Sequence, residues 1–486
     1  MSVERRTLLK TTAAAGVAGP FAGLVANPAG AARPPRPEGL VPIPDQRDGV
    51  VRLHLPEGFR YRSFHDTEQP VTLTDGTALP GRHDGMGAFR GPHGTVVLVR
   101  NHEVNNPTPA FGPGKPYDPM GGGGTTTVQT TRTGEVIRSF TSLNGTMMNC
   151  SGGRMPWGSW VTCEETVNGP DVGPDFTGAS NVPLTKPHGY VFEVPASQVP
   201  GEGQSSRKPI RSAGRFAHEA VSFDPERGHL FLTEDNFAFA SGFYRYRPPR
   251  NPMKVGRLQD GGRLQMLKVR GVDNAHLEGQ QVQGATYDVT WVDIDEPDIE
   301  YDHTPGEPAP TPNDTALTHV NSQGWAKGAA YFSRLEGQVY DRGVVYFTST
   351  QGGGGAEPGT ANPAGFGRGS GQVWAYDTRR RTLRCVFQSP GPLTLDLPDN
   401  ITTSRRGTLV VCEDNTEDNY IRGLSPRGRI WDIALNRLVG STGTPRFNDE
   451  FAGTTFSRDG RTLFVNIQAS RGMTFAIWGP WGRIGV

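Results

Sequence analysis

The chain is 486 residues long, and its 49 basic residues balance 49 acidic ones with no long run of either sign. That balance argues against nucleic acid or an acidic membrane as a main partner, and four cysteines are too few to staple a chain of this size. With 65 glycines and 41 prolines, the composition points to β structure broken by many turns.

The first element stands apart from the fold. "MSVERRTLLK" sets Arg5 and Arg6 side by side ahead of an Ala/Gly-rich stretch, and "AGA" at 29–31 supplies small residues for cleavage. That order is an export peptide's, and its apolar part is too short and Gly-rich to anchor a membrane protein. The Arg-Arg-x-Leu-Leu-Lys spacing resembles bacterial twin-arginine signals, with the general secretory route as the alternative. Residues 1–31 are therefore expected to engage the twin-arginine export machinery. One domain, 32–486, is then expected to reach the periplasm or the medium, without a membrane span. Losing Arg5, Arg6, Lys10 and Glu4 leaves 46 basic and 48 acidic residues, a formal charge near −2.

Further along, the apolar runs are short, rich in β-branched and aromatic residues, and bounded by Gly, Asp or Ser: "GTVVLVRN", "GHLFLTED", "GVVYFTST", "GTLVVCED" and "RTLFVNIQ". Helical periodicity is hard to find outside the export peptide and short connectors. Cys385 and Cys412 lie in strand-like runs and either pair or remain buried thiols. Laid under one another, 218–236, 398–415 and 448–468 share one plan of acidic start, strand, Gly turn, second strand and polar end. Looser copies occupy 84–103, 149–165 and 333–350. Six such hairpins, several followed by further strands such as "GFYRYRP", predict an all-β fold, a six-bladed β-propeller. The long insertions at 105–125, 168–188 and 351–370 read as loops over one face.

In an antiparallel hairpin the residue before the first strand and the residue after the second share one sheet edge. The residues at those ends then converge: Asp84 with Glu103, Cys150 with Glu165, Glu219 with Glu234, Glu336 with Thr350, Asp399 with Glu413, and Asp449 or Glu450 with Gln468. Close carboxylates repel one another unless cations sit among them, so the ring predicts bound metal. Oxygen donors suit calcium (Ca2+), whereas a thiolate indicates a transition metal such as iron or zinc.

"NCSGGRMPWGSWVTCEE", "GRFAHEAVSFDP", "SRLEG", "LPDNI" and "NDEFAGTTFS" together resemble the PhoX-type alkaline phosphatases, and the likeness runs in order over nearly the whole mature chain. The resemblance implies an exported propeller enzyme that hydrolyses small-molecule phosphomonoesters with a cluster of ferric (Fe3+) and calcium ions. It implies Cys150 as the thiolate on iron and Glu219 as a second iron-side ligand, with Glu165, Glu336 and Asp449 completing the cage. The neighbouring acids Glu164 and Glu450 remain alternatives within the same motifs. Arg334 would hold phosphate oxygens, and Cys163 is the rival thiol. A monomer is expected. No Ser or Cys nucleophile elbow and no P-loop occurs. Two competing readings keep the fold: a calcium-dependent propeller lactonase or esterase, and a non-catalytic secreted propeller rigidified by calcium.

Overall fold

The computed structural model describes residues 39–236, 238–354 and 368–486. The export signal read over residues 1–31 lies outside them, as does most of the 351–370 insertion. The chain starts with Val41–Pro44 (β1), Val51–Leu55 (β2) and Arg60–Phe64 (β3). His83–Arg90 (β4), Val96–His102 (β5), Gly123–Thr130 (β6) and Val136–Thr146 (β7) follow as a four-stranded sheet. Asn149–Arg154 (β8), Ser159–Glu164 (β9) and Val191–Pro195 (β10) make a three-stranded one.

The middle of the chain supplies His218–Asp224 (β11), His229–Glu234 (β12), Phe243–Arg247 (β13), Arg263–Val269 (β14) and Thr286–Asp293 (β15). The helix Asn313–Ala326 (α1) comes next. Leu335–Asp341 (β16), Val344–Ser349 (β17), Gln372–Asp377 (β18) and Thr382–Gln388 (β19) complete this part. These strands form one nine-stranded sheet in the order β11-β12-β13-β14-β15-β19-β18-β17-β16. Pro398–Thr403 (β20), Leu409–Glu413 (β21), Tyr420–Leu424 (β22) and Ile430–Asn436 (β23) are extended by β2 and β1. Glu450–Phe456 (β24), Thr462–Gln468 (β25) and Met473–Trp478 (β26) take β3 as their fourth strand. The first and last described segments are thereby tied together.

The fold is all-β and propeller-like. All six expected hairpins are present, and their first strands β4, β8, β11, β16, β20 and β24 pack side by side in a closed ring. The turns fit their glycines: Gly158 and Gly343, at φ 91° and 92°, occupy a region that side chains with a Cβ rarely enter. Among the described residues the sheets number five where six separate ones were expected. β15 pairs with β14 on one side and, through Thr286–Asp288, with β19 on the other, joining the third and fourth hairpins. This covers two edges that would otherwise expose unpaired backbone groups.

Apolar side chains fill the spaces between neighbouring sheets. Val410, Cys412 and Ile433 meet Phe451, Val465 and Phe475, all fully buried, and each large side chain so buried contributes about 1.5–3 kcal/mol. All four cysteines are free and buried, so Cys385 and Cys412 are separate thiols. Helix α1 was not expected from the sequence. It buries Ala316, Leu317, Val320, Asn321, Gly324 and Trp325, a stripe at helical spacing in which polar and small residues take the place of large apolar ones. A Cβ at Gly324 would meet the Met266 sulfur at 2.1 Å, so any larger residue there would force that side chain to move. No helix among the described residues is long and apolar enough to cross a membrane.

Candidate metal centre

Five of the six hairpins share one irregularity. The strand register slips between His83 and Met86, Asn149 and Gly152, His218 and Val221, Leu335 and Gln338, and Pro398 and Ile401. In each case two residues face a single residue of the partner strand, the geometry of a β-bulge, which re-aims a side chain. The first residues of the bulged pairs are Asp84, Cys150, Glu219, Glu336 and Asp399, and all five line one cavity of about 70 Å³ inside the ring. In the sixth hairpin the bulge lies deeper, between Ala452 and Thr455, and Glu450, paired with Gln468, lines the cavity instead.

A second set of acids comes from the residue just after the second strand in four of the hairpins: Glu103, Glu165, Asp235 and Asp414. The acid one place earlier points the other way, because side chains alternate along a strand. Glu164 accepts hydrogen bonds from the backbone N–H of Met147, Gly189 and Tyr190 at 2.9–3.1 Å. Glu234 accepts from Gly242 N–H, Tyr244 and Asn321, each at 2.8 Å. Glu413 accepts from Asp396 and Tyr420 N–H at 3.1 Å and from Arg422 at 2.8 Å. These three buried glutamates hold loop backbone, and Asp235 and Asp414 stand in the cavity where the sequence pattern suggested Glu234 and Glu413.

Of the candidates read from the sequence, the structure brings together Cys150, Glu165, Glu219, Glu336, Glu450 and Arg334, with Asp84, Glu103, Asp399 and Gln468 from the converging hairpin ends. It does not bring in Glu164, nor Asp449, whose carboxylate is ion-paired with Arg446 at 2.7 Å. Sequence reasoning missed Asp235, Asp414 and Arg82. Arg82 had a signal, since "RHDG" at 82–85 and "RLEG" at 334–337 place an arginine at the same distance from a bulged acid. Both arginines adopt left-handed backbone, φ 48° and 45°, a conformation that costs roughly 1–3 kcal/mol outside glycine and persists where the surroundings enforce it. The Arg334 guanidinium contacts Asp235 and Glu336, both at 2.7 Å, and Arg82 contacts Glu103 at 2.6 Å.

Nine carboxylates and one thiol therefore face two guanidiniums in a buried space. Burial, reinforced by the surrounding acids, pushes the carboxyl groups of Asp84, Glu219 and Glu336 well above the usual range. Burial, then Glu219 and Glu165, does the same to the Cys150 thiol. Such a site resists becoming anionic unless multivalent cations enter. The donors are placed for it: one ligand atom each from Cys150, Glu165 and Glu219 lies within 4.8 Å of the other two, and so does one each from Glu219, Glu336 and Asp399. The thiol-containing group suits a transition metal and the all-oxygen group suits calcium.

A buried histidine ties two insertions to Glu164, beside this site. His188 contacts Glu164 at 2.6 Å and Asp118 at 3.7 Å, and Asp118 accepts from Thr185 and Lys186 N–H. Burial opposes the charge, but Glu164 and Asp118 raise the imidazole to about 9. The stabilisation is complete below the ordinary value of 6.5 and is lost as pH climbs through about 9. His188→Asn is expected to destabilise by about 3–5 kcal/mol at pH 6. In urea unfolding the gap to wild type should narrow at pH 9.5; an equal gap at both would show that the ring's charge is irrelevant.

Fold and site together define a propeller-type protein with an acid-rich cavity inside its ring of strands, whose acids lie close enough to serve as metal ligands. The chain belongs to the alkaline phosphatase PhoX family, whose model matches residues 38–139 and 119–470, and it is thus a phosphoric monoester hydrolase. Among solved structures, Pseudomonas fluorescens PhoX in complex with vanadate, a transition state analogue, superposes with a TM-score of 0.63 at 17% identity, over 92% of this chain and 99% of that one. That likeness is one of fold. A selenomethionine-substituted virginiamycin B lyase from Staphylococcus aureus (11% identity, TM-score 0.38, 86% and 99% covered) and a Xanthomonas campestris gluconolactonase (12%, 0.36, 91% and 99%) are more distant. No curated protein matches the sequence.

Proposed function

We propose that the chain is an exported phosphatase that releases inorganic phosphate from small phosphomonoesters at a cluster of iron and calcium in the axial cavity. The observation that carries this is the convergence, among the described residues, of nine carboxylates and a thiol on one buried space with only two guanidiniums to offset them. Cys150, Glu165 and Glu219 would hold iron, and Glu219, Glu336 and Asp399 would hold calcium, with Glu450 and Asp84 close by. Such ions supply Lewis-acid polarisation of the phosphoryl oxygens. The propeller is read as six-bladed, the nine-stranded sheet counting as two blades that share β15; the closed ring of six first strands supports this.

The chain's own residues bind and orient. Arg334 is held by Asp235 and Glu336 so that its remaining N–H groups can meet phosphate oxygens, and Arg82 offers a second guanidinium from the first hairpin. No Ser, Thr or His side chain lines the cavity among the described residues, so a side-chain hydroxyl nucleophile has no place there.

Protein purified from an exporting host should contain iron and calcium and hydrolyse p-nitrophenyl phosphate. EGTA should abolish turnover and calcium restore it. Full activity after exhaustive chelation would eliminate calcium from the centre, lactone turnover with calcium alone would indicate a lactonase, and calcium without ester turnover a binding propeller. Export through the twin-arginine route rests on Arg5 and Arg6. Replacing both with Lys keeps the charge and should hold the precursor in the cytoplasm; normal export of that variant would assign the general pathway.

A further inference from the structure

A β-bulge leaves backbone carbonyls outside the ladder, and buried carbonyls need donors. Here the donors come from the neighbouring hairpin. Thr233 sits alone opposite the bulge of the third hairpin, and its hydroxyl donates to the carbonyl of Glu336 in the fourth at 2.6 Å. Thr348, opposite the fourth bulge, donates to the carbonyl of Asp399 in the fifth at 2.8 Å. Asn101, opposite the first bulge, donates its amide N–H to the carbonyls of Cys150 and Ser151 in the second, at 3.1 and 2.6 Å. Asn466 in the sixth donates to the carbonyl of Asp84 in the first at 2.5 Å. All four side chains belong to residues with no solvent exposure, and none lines the acidic cavity.

The four carbonyls thus held belong to Asp84, Cys150, Glu336 and Asp399, residues whose side chains enter that cavity. Within a bulge, the peptide plane and the side chain of one residue turn together, so fixing the carbonyl fixes the direction of the acid or thiol. We propose that Asn101, Thr233, Thr348 and Asn466 are positioning residues: a collar of hydrogen bonds across hairpin boundaries that presets the metal-facing bulges before any cation binds. The inference rests on the metal reading of the cavity. It assigns to the second strands a role in cation affinity beyond sheet pairing, comparable to the outer partners that orient ligands in metal sites generally.

Thr348→Val and Thr233→Val each delete one hydroxyl with little change of shape. In calorimetric titration of metal-depleted protein with calcium, each should weaken binding about ten-fold, and Thr348→Ser should restore it. Thr127→Val is the control, because the Thr127 hydroxyl is buried without a hydrogen-bond partner among the described residues; its calcium affinity should match wild type. Calcium affinities within two-fold of wild type in both valine variants, whatever their melting temperatures, would overturn the collar. Failure of the serine variant to recover affinity would do the same. Wild-type protein that takes up no calcium would instead remove the metal reading on which the collar depends.

Discussion

Replacing Glu219 with Gln is expected to lower kcat/KM for p-nitrophenyl phosphate on the order of 10²–10³-fold, the range seen when one preorganised electrostatic group is removed from an active site. Glu219 is the residue common to both candidate ligand groups, and it is 2% exposed within the acidic cavity. Its loss touches the thiol-containing and the all-oxygen groups at once, which no other single change does. Stability supplies an independent signature. Burial, then Glu336, Glu165 and Asp399, holds the Glu219 carboxyl well above its ordinary value of 4.5. In chelated protein the unfolded chain releases this proton near 4.5 while the folded chain retains it, so folding stability falls as pH rises above that value.

The neutral amide of the variant escapes that cost. Chelated Glu219→Gln should therefore melt above chelated wild type at pH 8, whereas in metal-replete protein the order should reverse, because wild type gains the binding free energy of its cations. Thermal unfolding of metal-replete protein and of protein stripped of both iron and calcium reads both arms. Undiminished turnover in the variant, or the same melting order in both states, would place the centre elsewhere.

How much of this was legible in the sequence depends on which physical signal each element carried. The hairpins were readable because a left-handed glycine turn and alternating apolar runs are local features, and "ERGHLFLTED" or "RRGTLVVCED" states them within ten residues. The joining of the third and fourth hairpins was not, because β15 carries "TYDVTWVD", a run half-exposed and charged, whose pairing with β19 is set by two sheet edges far apart in the chain. Helix α1 was hidden for a related reason: Asn321 and Gly324 sit on its buried face, and they are explained only by Glu234 and Met266 across the contact.

At the site, convergence of the hairpin ends was readable from the repeat, but the choice between adjacent acids was not. Glu164 and Glu165 look alike in the sequence. What separates them is strand parity relative to the bulge, which sends one to backbone amides and the other to the cavity. The same parity exchanges Glu234 for Asp235 and Glu413 for Asp414. A one-residue ambiguity in strand ends is thus enough to invert a ligand assignment while leaving the fold assignment intact.

Parity also separates the two thiols of "NCSGGRMPWGSWVTCEE", and Cys150→Ser should distinguish them by abolishing both iron content and phosphatase activity. Cys150 is the first residue of the bulge and lines the cavity, with a ligand atom within 4.8 Å of ones from Glu165 and Glu219. Its sulfur lies 3.3 Å from the His218 carbonyl and 3.6 Å from that of Glu219. Burial, then Glu219 and Glu165, keeps it protonated in the absence of metal, so the thiolate forms only when a cation replaces the proton. A serine hydroxyl ionises far less readily and is a poor ligand for the softer metal. Cys163 sits opposite the same bulge, fully buried and outside the cavity. Cys163→Ser should cost on the order of 1–3 kcal/mol as a buried polar replacement and leave iron and turnover close to wild type. Elemental analysis, the thiolate-to-iron absorption band and p-nitrophenyl phosphate turnover on both variants decide the matter. Loss of iron in Cys163→Ser with retention in Cys150→Ser would transfer the ligand to the strand position, and retention in both would leave a centre of carboxylates alone.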